Sequence, residues 1–376
     1  MDKEKQKCKE LLEDNLNMLK NMSVPEYTLY RKWVEVNDLY QKNESLMDML
    51  FETEEDFLPK EEQAVKNNIW IPNSYEDYLN IEPEVVYVGD KNASKIWNTL
   101  RVFCSRMIWN QNPGRLLRFY VIDKHTRKYL GLFSLGSDFI GIGGRDKYIG
   151  WTTDHRLKDK MLNYTAMGST IVSTQPLGYN YLGGKFMSLL VCSDAVEKTW
   201  NKKYKEPLVG ITTTSLYGGF SQYNRLNYWR KCKSSEGTIK LEPSEDIYKQ
   251  VRDWYKKKYP EKYKAVIIKS HPKAHVLSLI YKELEIKVPK NNAPRGVYFC
   301  SLYDNSLEFL RKETDELSGK KFDNSVKSLT ELWKTKYAEK RIAQLTKEKK
   351  TKDEILFYDK LIGLLWEETK EKHLED

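Results

Sequence analysis

Residues 168–231 hold the side chains best suited to chemistry. A β-branched run, Ile171-Val172-Ser173-Thr174, leads into Gln175-Pro176-Leu177-Gly178-Tyr179-Asn180-Tyr181-Leu182-Gly183-Gly184-Lys185, and Phe186-Met187-Ser188-Leu189-Leu190 then reads as a helix. A strand that passes through a glycine-bearing turn into a helix leaves N–H groups at the positive helix end, a setting that suits a phosphate. Gly178, Gly183 and Gly184 would let a pyrophosphate approach the backbone, and Lys185 adds a charge near the helix start. The same glycines would equally serve close packing in any strand-to-helix turn. Leu208–Ser215 reads as a second buried strand, and Gln222–Leu226 as a short helix carrying Tyr223.

If the chemistry is acyl transfer, Tyr223 is the candidate general acid facing a leaving thiolate; its alternative role is a core aromatic with a satisfied hydroxyl. Ser215, Tyr217 and Ser221 fall at the strand end and in the following loop, where ligands of α/β sheets gather. Asp138, Asp146 and Asp154 are candidate general bases in a glycine-rich excursion, and nothing in the sequence chooses between them. The candidate catalytic set carried forward is Tyr223, Ser215 and Asp154.

The net charge is +9, unevenly spread: residues 1–70 carry 10 Lys/Arg against 16 Asp/Glu, residues 71–300 carry 37 against 21, and residues 301–376 carry 16 against 17. A basic middle favours a polyanion, because neutralising phosphates releases counterions. Arg225, Arg230 and Lys231, interleaved with Tyr228 and Trp229, could bind a phosphate backbone while offering rings to an extruded base. Arg115 and Arg118, with Arg101, Arg106 and Trp109, make a second basic cluster. Either cluster could instead be a solvated face. DNA is the expected partner, with RNA still open.

His271 and His275 have helical metal spacing, but Pro272 and the lack of a third ligand argue against zinc, and no metal is expected. The five cysteines form no C-x-x-C pair, and no apolar run approaches a bilayer span. The start, Met1-Asp2-Lys3-Glu4-Lys5, is unlike a secretory signal, so a cytoplasmic protein with no membrane partner is expected.

The elements that must position these residues fall into three stretches. Residues 1–70 read as a helical extension: Ser23-Val24-Pro25-Glu26 fits a capping box, and Tyr30, Trp33, Leu39, Leu46 and Leu50 recur at helical spacing. Residues 84–300 read as an α/β core. Glu84–Asp90 is its first strand, Leu117–Ile122 and Tyr129–Ser134 form a β-hairpin, and in the glycine-rich stretch Gly136–Gly150 the run Gly141–Arg145 reads as a loop needing positive φ. Residues 320–376 read as a helical hairpin, with a stripe of Val326, Leu329, Leu332, Trp333, Tyr337 and Ile342 and a second capping box at Thr351–Glu354. These terminal helices could also support a homo-oligomer.

The succession of strand, glycine turn, helix, strand and tyrosine-bearing segment resembles the acyl-CoA N-acyltransferase superfamily (GNAT). That resemblance implies a mixed, mostly antiparallel sheet and a donor carrying a diphosphate or thioester, such as acyl-CoA. Where the superfamily usually carries Arg/Gln-x-x-Gly-x-Gly/Ala, this chain has Asn180-Tyr181-Leu182-Gly183-Gly184. Over roughly residues 100–310, the segments Arg115–Phe119, Tyr129–Gly131, Tyr148–Trp151, Gln175–Lys185 and Thr213–Gly218 resemble proteins of large tailed phages. These are related to the Druantia anti-phage protein A family and, more distantly, to the Mom family of DNA base-modifying proteins. The resemblance implies a phage-encoded, acyltransferase-like enzyme modifying a base in DNA in the host cytoplasm. A non-catalytic DNA-binding module and a structural or assembly protein are the alternatives.

Overall fold

A computed structural model describes residues 3–42, 65, 67–74, 76–106, 114–174, 182–215, 221–235, 238–269, 272–287, 290–292, 295–349 and 358–374. In chain order its main elements are α1 (Lys3–Asn21), α2 (Val24–Lys42), β1 (Pro83–Tyr87), α3 (Lys91–Cys104), β2 (Leu116–Asp123), β3 (Tyr129–Ser137), α4 (Gly143–Ile149), β4 (Thr165–Ser173), α5 (Gly183–Leu190), α6 (Asp194–Tyr204) and β5 (Gly210–Thr214). They continue with β6 (Trp229–Ser235), β7 (Thr238–Lys240), α7 (Glu245–Lys258), α8 (Pro260–Ile267), α9 (Pro272–Glu283), β8 (Lys290–Asn292), β9 (Arg295–Ser301), α10 (Val326–Trp333) and α11 (Glu339–Glu348).

The chain divides into two compact units, one of residues 1–29 with 236–294 and the other of residues 30–235 with 295–376. Residues 236–294, read from sequence within the α/β core, thus belong to a helical unit with the N-terminal segment. In that unit Leu12, Leu16 and Leu19 of α1 are buried, as are Val251, Trp254 and Tyr255 of α7 and Val276, Leu277 and Ile280 of α9. The i, i+3, i+4 spacing on each helix puts these residues on one face. Lys5 pairs with Glu283 at 3.0 Å, and the Asn15 side chain accepts the Ser244 N–H at 3.1 Å.

The larger unit is built on a seven-stranded sheet of order β1-β2-β3-β4-β5-β9-β6, in which every neighbour is antiparallel except β4 and β5. The expected mixed, mostly antiparallel sheet with flanking helices is therefore present. The β2–β3 hairpin is where the alternating runs predict it, its turn held by the Asp123 carboxylate accepting from the N–H and the hydroxyl of Thr126, both at 2.9 Å.

Successive residues of β9 face opposite sides, as the period of two requires. Tyr298 and Cys300 join a large core with Phe186, Met187, Trp200, Leu329 and Trp333 of α5, α6 and α10; Val297 and Phe299 join a smaller one with Ile149, Trp151 and Phe309. The stripe from Val326 to Ile342 packs on the larger core, continued through a π-helical turn, Lys334–Ala338. The N-terminal capping box forms as read: Ser23 Oγ accepts the Glu26 N–H at 3.2 Å, and Glu26 Oε2 accepts the Ser23 N–H at 3.4 Å. Leu46, Leu50, Thr351–Glu354, Trp109 and His271 lie outside the described residues.

Two local readings need correction. The stretch Gly141–Gly144 is not a positive-φ loop: Gly143 and Gly144 open α4, and within Gly136–Gly150 only Gly150, at its C-terminus, has positive φ (86°). Gln222–Arg225 is a run of turns rather than a helix, with Arg225 at φ 55° and Tyr228 at φ 73°. The Tyr298 hydroxyl holds this turn by donating to the Asn224 side chain at 2.7 Å.

Candidate functional site

The parallel strand pair, β4 with β5, is short. β4 and β5 are in register only from Thr165 opposite Gly210 to Met167 opposite Thr212; beyond that, β4 pairs only with β3 and β5 only with β9. The parting coincides with a bulge. Ser169 lies opposite Ser134 and Val172 opposite Leu132, so β4 carries one residue more than β3 between these pairs. Thr170, in the bulge, is buried at φ 51°, a rare conformation for a β-branched residue that stores about 1–3 kcal/mol of strain. The two strands therefore open toward their C-terminal ends, the side on which open α/β sheets place ligands.

Among the described residues, Gln222 and Tyr223 fill the opening. Gln222 Nε2 donates to the Ile171 carbonyl of β4 at 3.0 Å and lies 3.2 Å from the Tyr223 hydroxyl. The Thr213 hydroxyl of β5 donates to the Gly168 carbonyl at 3.0 Å and lies 3.4 Å from the same Tyr223 hydroxyl. Tyr223 is buried, its ring packed against Trp229 and Tyr298 at centroid distances of 5.1 Å. Burial pushes its pKa up, against the opposing pull of hydrogen bonds from Thr213, Gln222 and Ser188. Tyr223 is therefore a neutral phenol at physiological pH, able to give a proton and unsuited to taking one.

The described end of the candidate donor turn, Leu182–Lys185, lies beside this opening. Leu182 is the N-cap of α5 in helical conformation, and among the described residues no side chain caps the helix. A Cβ on Gly184 would stand 2.8 Å from Gln222 Oε1, so this glycine serves the close approach of Gln222 to the helix start. Lys185 is committed locally: its ammonium donates to the carbonyls of Gln222 (3.1 Å) and Asn224 (2.7 Å) and lies 5.3 Å from the Tyr337 ring centre. Burial, and secondarily Arg225, lowers its pKa. Gly178 and Tyr217 lie outside the described residues.

The other predicted residues scatter. Ser215 extends the β5–β9 pairing, its hydroxyl accepting the Gly296 N–H at 3.0 Å. Asp154 is exposed on the short helix Thr153–Leu157, paired with Lys158 at 3.0 Å, and takes no part in the opening. The other two aspartates are fixed by arginines. Asp138 meets the fully buried Arg145 at 2.5 Å and accepts from the hydroxyls of Thr165 (2.9 Å) and Thr212 (2.7 Å). Asp146 pairs with Arg145 at 2.7 Å and Arg156 at 2.6 Å. Carboxylates so paired have their oxygens committed to partners within the protein.

Of the proposed nucleic-acid residues, only part is available to a partner. Arg225, Arg230 and Lys231 are exposed, the last two on β6, which ends the sheet. Trp229 is a core residue: its indole N–H donates to the Ser188 carbonyl at 2.8 Å, so its ring is not presented for stacking on a base. Arg115 is occupied by Glu206, by the Asn163 carbonyl at 2.7 Å and by the Tyr204 ring at 4.8 Å. Arg118 lies over the Trp97 ring at 5.1 Å, and burial lowers its pKa. Sequence reasoning missed Gln222 and the Thr170 bulge. Neither leaves a compositional mark, since a single Gln in a polar turn and a Thr in a strand are ordinary.

These features define a class: an α/β protein whose mixed sheet opens at a parallel strand pair, with a buried tyrosine in the opening. The model of the Druantia protein DruA family matches residues 37–312, and the chain belongs to that family. The Druantia protein DruA of Escherichia coli (strain UMEA 4076-1) is 34% identical over 125 residues, which cover 30% of this chain and 30% of that relative. No solved structure matches the chain significantly. Among the described residues no helix is long and apolar enough to cross a membrane.

Proposed function

We propose that this chain is a phage-encoded, acyltransferase-like enzyme that modifies a base in DNA in the host cytoplasm, in the manner of the Mom family, with the opening between β4 and β5 as its reaction site. The observation that carries this reading is the buried, neutral Tyr223 hydroxyl in a gap between parted parallel strands, beside an α5 start that no described side chain caps. The donor carries a diphosphate or a thioester, acyl-CoA being the first choice, and its anionic end meets the amides of Gly183 and Gly184. Gln222 gives way to it; an amine of the target base attacks the thioester carbonyl, the carbon–sulfur bond breaks, and the leaving thiolate takes the Tyr223 proton, which the proton lost by the amine replaces. The target base reaches the opening from DNA held by exposed cations.

Nucleoside mass spectrometry of DNA from cells expressing the chain tests the reading. A mass-shifted nucleoside is expected with the natural sequence and is lost in Tyr223→Phe; DNA without any such nucleoside overturns it. Calorimetry with acetyl-coenzyme A as probe tests the donor turn, since Gly183→Asp places a like charge against the anion and abolishes binding. Unchanged affinity removes the donor from this turn.

A second reading, a DNA-binding module without catalysis, is favoured by one observation. At the start of α5 the Lys185 ammonium is already taken by the carbonyls of Gln222 and Asn224, and the Gln222 side chain by the Ile171 carbonyl. It predicts DNA binding with no modified nucleoside and no heat of donor binding.

A further inference from the structure

The helical unit holds a positive surface that the sheet does not use. Residues 249–269 contain eight Lys/Arg and two Asp/Glu. α7 buries Tyr248, Val251, Trp254 and Tyr255, which turns its last three residues, Lys256, Lys257 and Lys258, to solvent. Pro260 restarts the chain as α8 immediately after Tyr259, so the two helices meet in an elbow. Lys262 and Lys264 are exposed on the far side of it.

An open cleft in the elbow is lined by Asp253, Lys256, Lys257, Pro260, Tyr263 and Lys264. Its one acidic side chain is taken by Arg252 at 2.7 Å, so the lining is positive. The Lys256 ammonium lies 5.8 Å from the Tyr263 ring centre, and Lys264 shares Glu261 at 3.0 Å.

Helix capping does not explain this distribution. Cations at the C-terminus of α7 complement its dipole, but Lys262 stands in the first turn of α8, where a positive charge is unfavourable. Like charges gathered at one elbow repel each other, and a polyanion removes that cost. Among the described residues, Lys264 at the elbow pairs only with the exposed Glu261, whereas in the sheet unit Arg115, Arg145 and Arg156 are held by partly or fully buried carboxylates.

We propose that the α7–α8 elbow grips the sugar–phosphate backbone of duplex DNA, with Lys256, Lys257 and Lys264 on successive phosphates. This rests on the reading of DNA as the substrate, and it assigns the grip to a part of the chain distinct from the predicted Arg225–Lys231 cluster. Each neutralised phosphate adds about 0.9 to the steepness with which log affinity falls against log salt.

The test uses the full chain, fluorescence anisotropy and a mixed-sequence DNA duplex of about two helical turns, from about 50 to about 200 mM salt. The combined variant Lys256→Gln, Lys257→Gln and Lys264→Gln should bind at least about tenfold more weakly at the lower salt and lose about 2.7 from the slope. These side chains are exposed, so its circular dichroism and melting midpoint should match the natural chain. Arg230→Gln with Lys231→Gln is the comparison variant and should lose less. The proposal is overturned if the triple variant keeps both affinity and slope, if the comparison variant alone abolishes binding, or if the natural chain does not bind the duplex.

Nucleoside mass spectrometry separates this result from the enzymatic reading. A weakened triple variant with no modified base in any sample leaves the grip standing and removes the enzyme. A modified base formed equally by an unweakened triple variant does the reverse.

Discussion

Two polar clusters sit on the same strand pair, and they begin from adjacent threonines. Thr212 bonds the Asp138–Arg145–Asp146–Arg156 network, in which each carboxylate has an arginine within 2.7 Å and Asp138 accepts two hydroxyls besides. Thr213 belongs to the cluster of Tyr223 and Gln222, which is neutral and holds its phenol by contacts of 3.2 and 3.4 Å. The first is dense in charge-assisted bonds, although Arg145 Nη1, 2.5 Å from Asp138, makes no well-directed hydrogen bond. The second has weak, replaceable contacts between strands that have already parted. Dense charge-assisted pairing is costly to break, and long contacts between neutral groups are cheap to break.

The largest expected effect is on the charged side. Arg145→Met leaves Asp138 as a buried carboxylate with two hydroxyls and the Phe139 N–H but no countercharge, and should cost about 3–5 kcal/mol in urea unfolding. A loss below about 1 kcal/mol would mean that the network is not what holds α4 to the sheet. Thr212→Val removes a hydroxyl from the same carboxylate and should cost about 1.5–3 kcal/mol, the range for a hydrogen bond to a charged group. Its neighbour provides the internal control. Thr213→Val removes a bond between neutral groups and should cost only about 0.5–1.5 kcal/mol. Equal losses at the two positions would erase the contrast and make the Tyr223 cluster a structural network as well.

The same contrast separates what the sequence makes legible from what it hides. The succession of β4, turn, α5 and β5 is readable because β-branched runs and glycines obey local rules, as do the hairpin of β2 and β3 and the stripe from Val326 to Ile342. Long-range packing is not readable. Arg118 alternates with the core residues Leu117 and Phe119, so the pleat sends it to the other face of the sheet, where Trp97 of α3 covers it. Trp229 opens a strand of otherwise basic and polar residues, and only the arrival of Ser188 and Tyr223 from other elements buries it. The helical unit is hidden for the same reason: α7 completes its core with α1, from the opposite end of the sequence. Of the candidate site, Tyr223 and the start of α5 are brought together, while Asp154 and Ser215 serve elsewhere.

Tyr223→Phe puts the comparison to its smallest stability test and its largest functional one. The phenol's two long contacts are worth together about 0.5–1.5 kcal/mol, so the variant should fold with nearly natural stability at neutral pH. Base modification should nevertheless fall by about 10²–10⁴-fold, the range for a lost general acid. The pH dependence fixes the origin of any stability change. Burial raises the folded-state pKa of Tyr223 above its ordinary value of 10.0, so on raising the pH the unfolded chain loses this proton first. Any stability that the shift contributes is fully present below about pH 10 and drains away as pH rises from there toward the folded-state pKa. Between those two limits the natural chain should lose stability relative to Tyr223→Phe, read as a difference between their urea midpoints across the alkaline range. A constant difference would mean that the hydroxyl is solvated, and a solvated Tyr223 would return the opening between β4 and β5 to the status of an ordinary surface crevice.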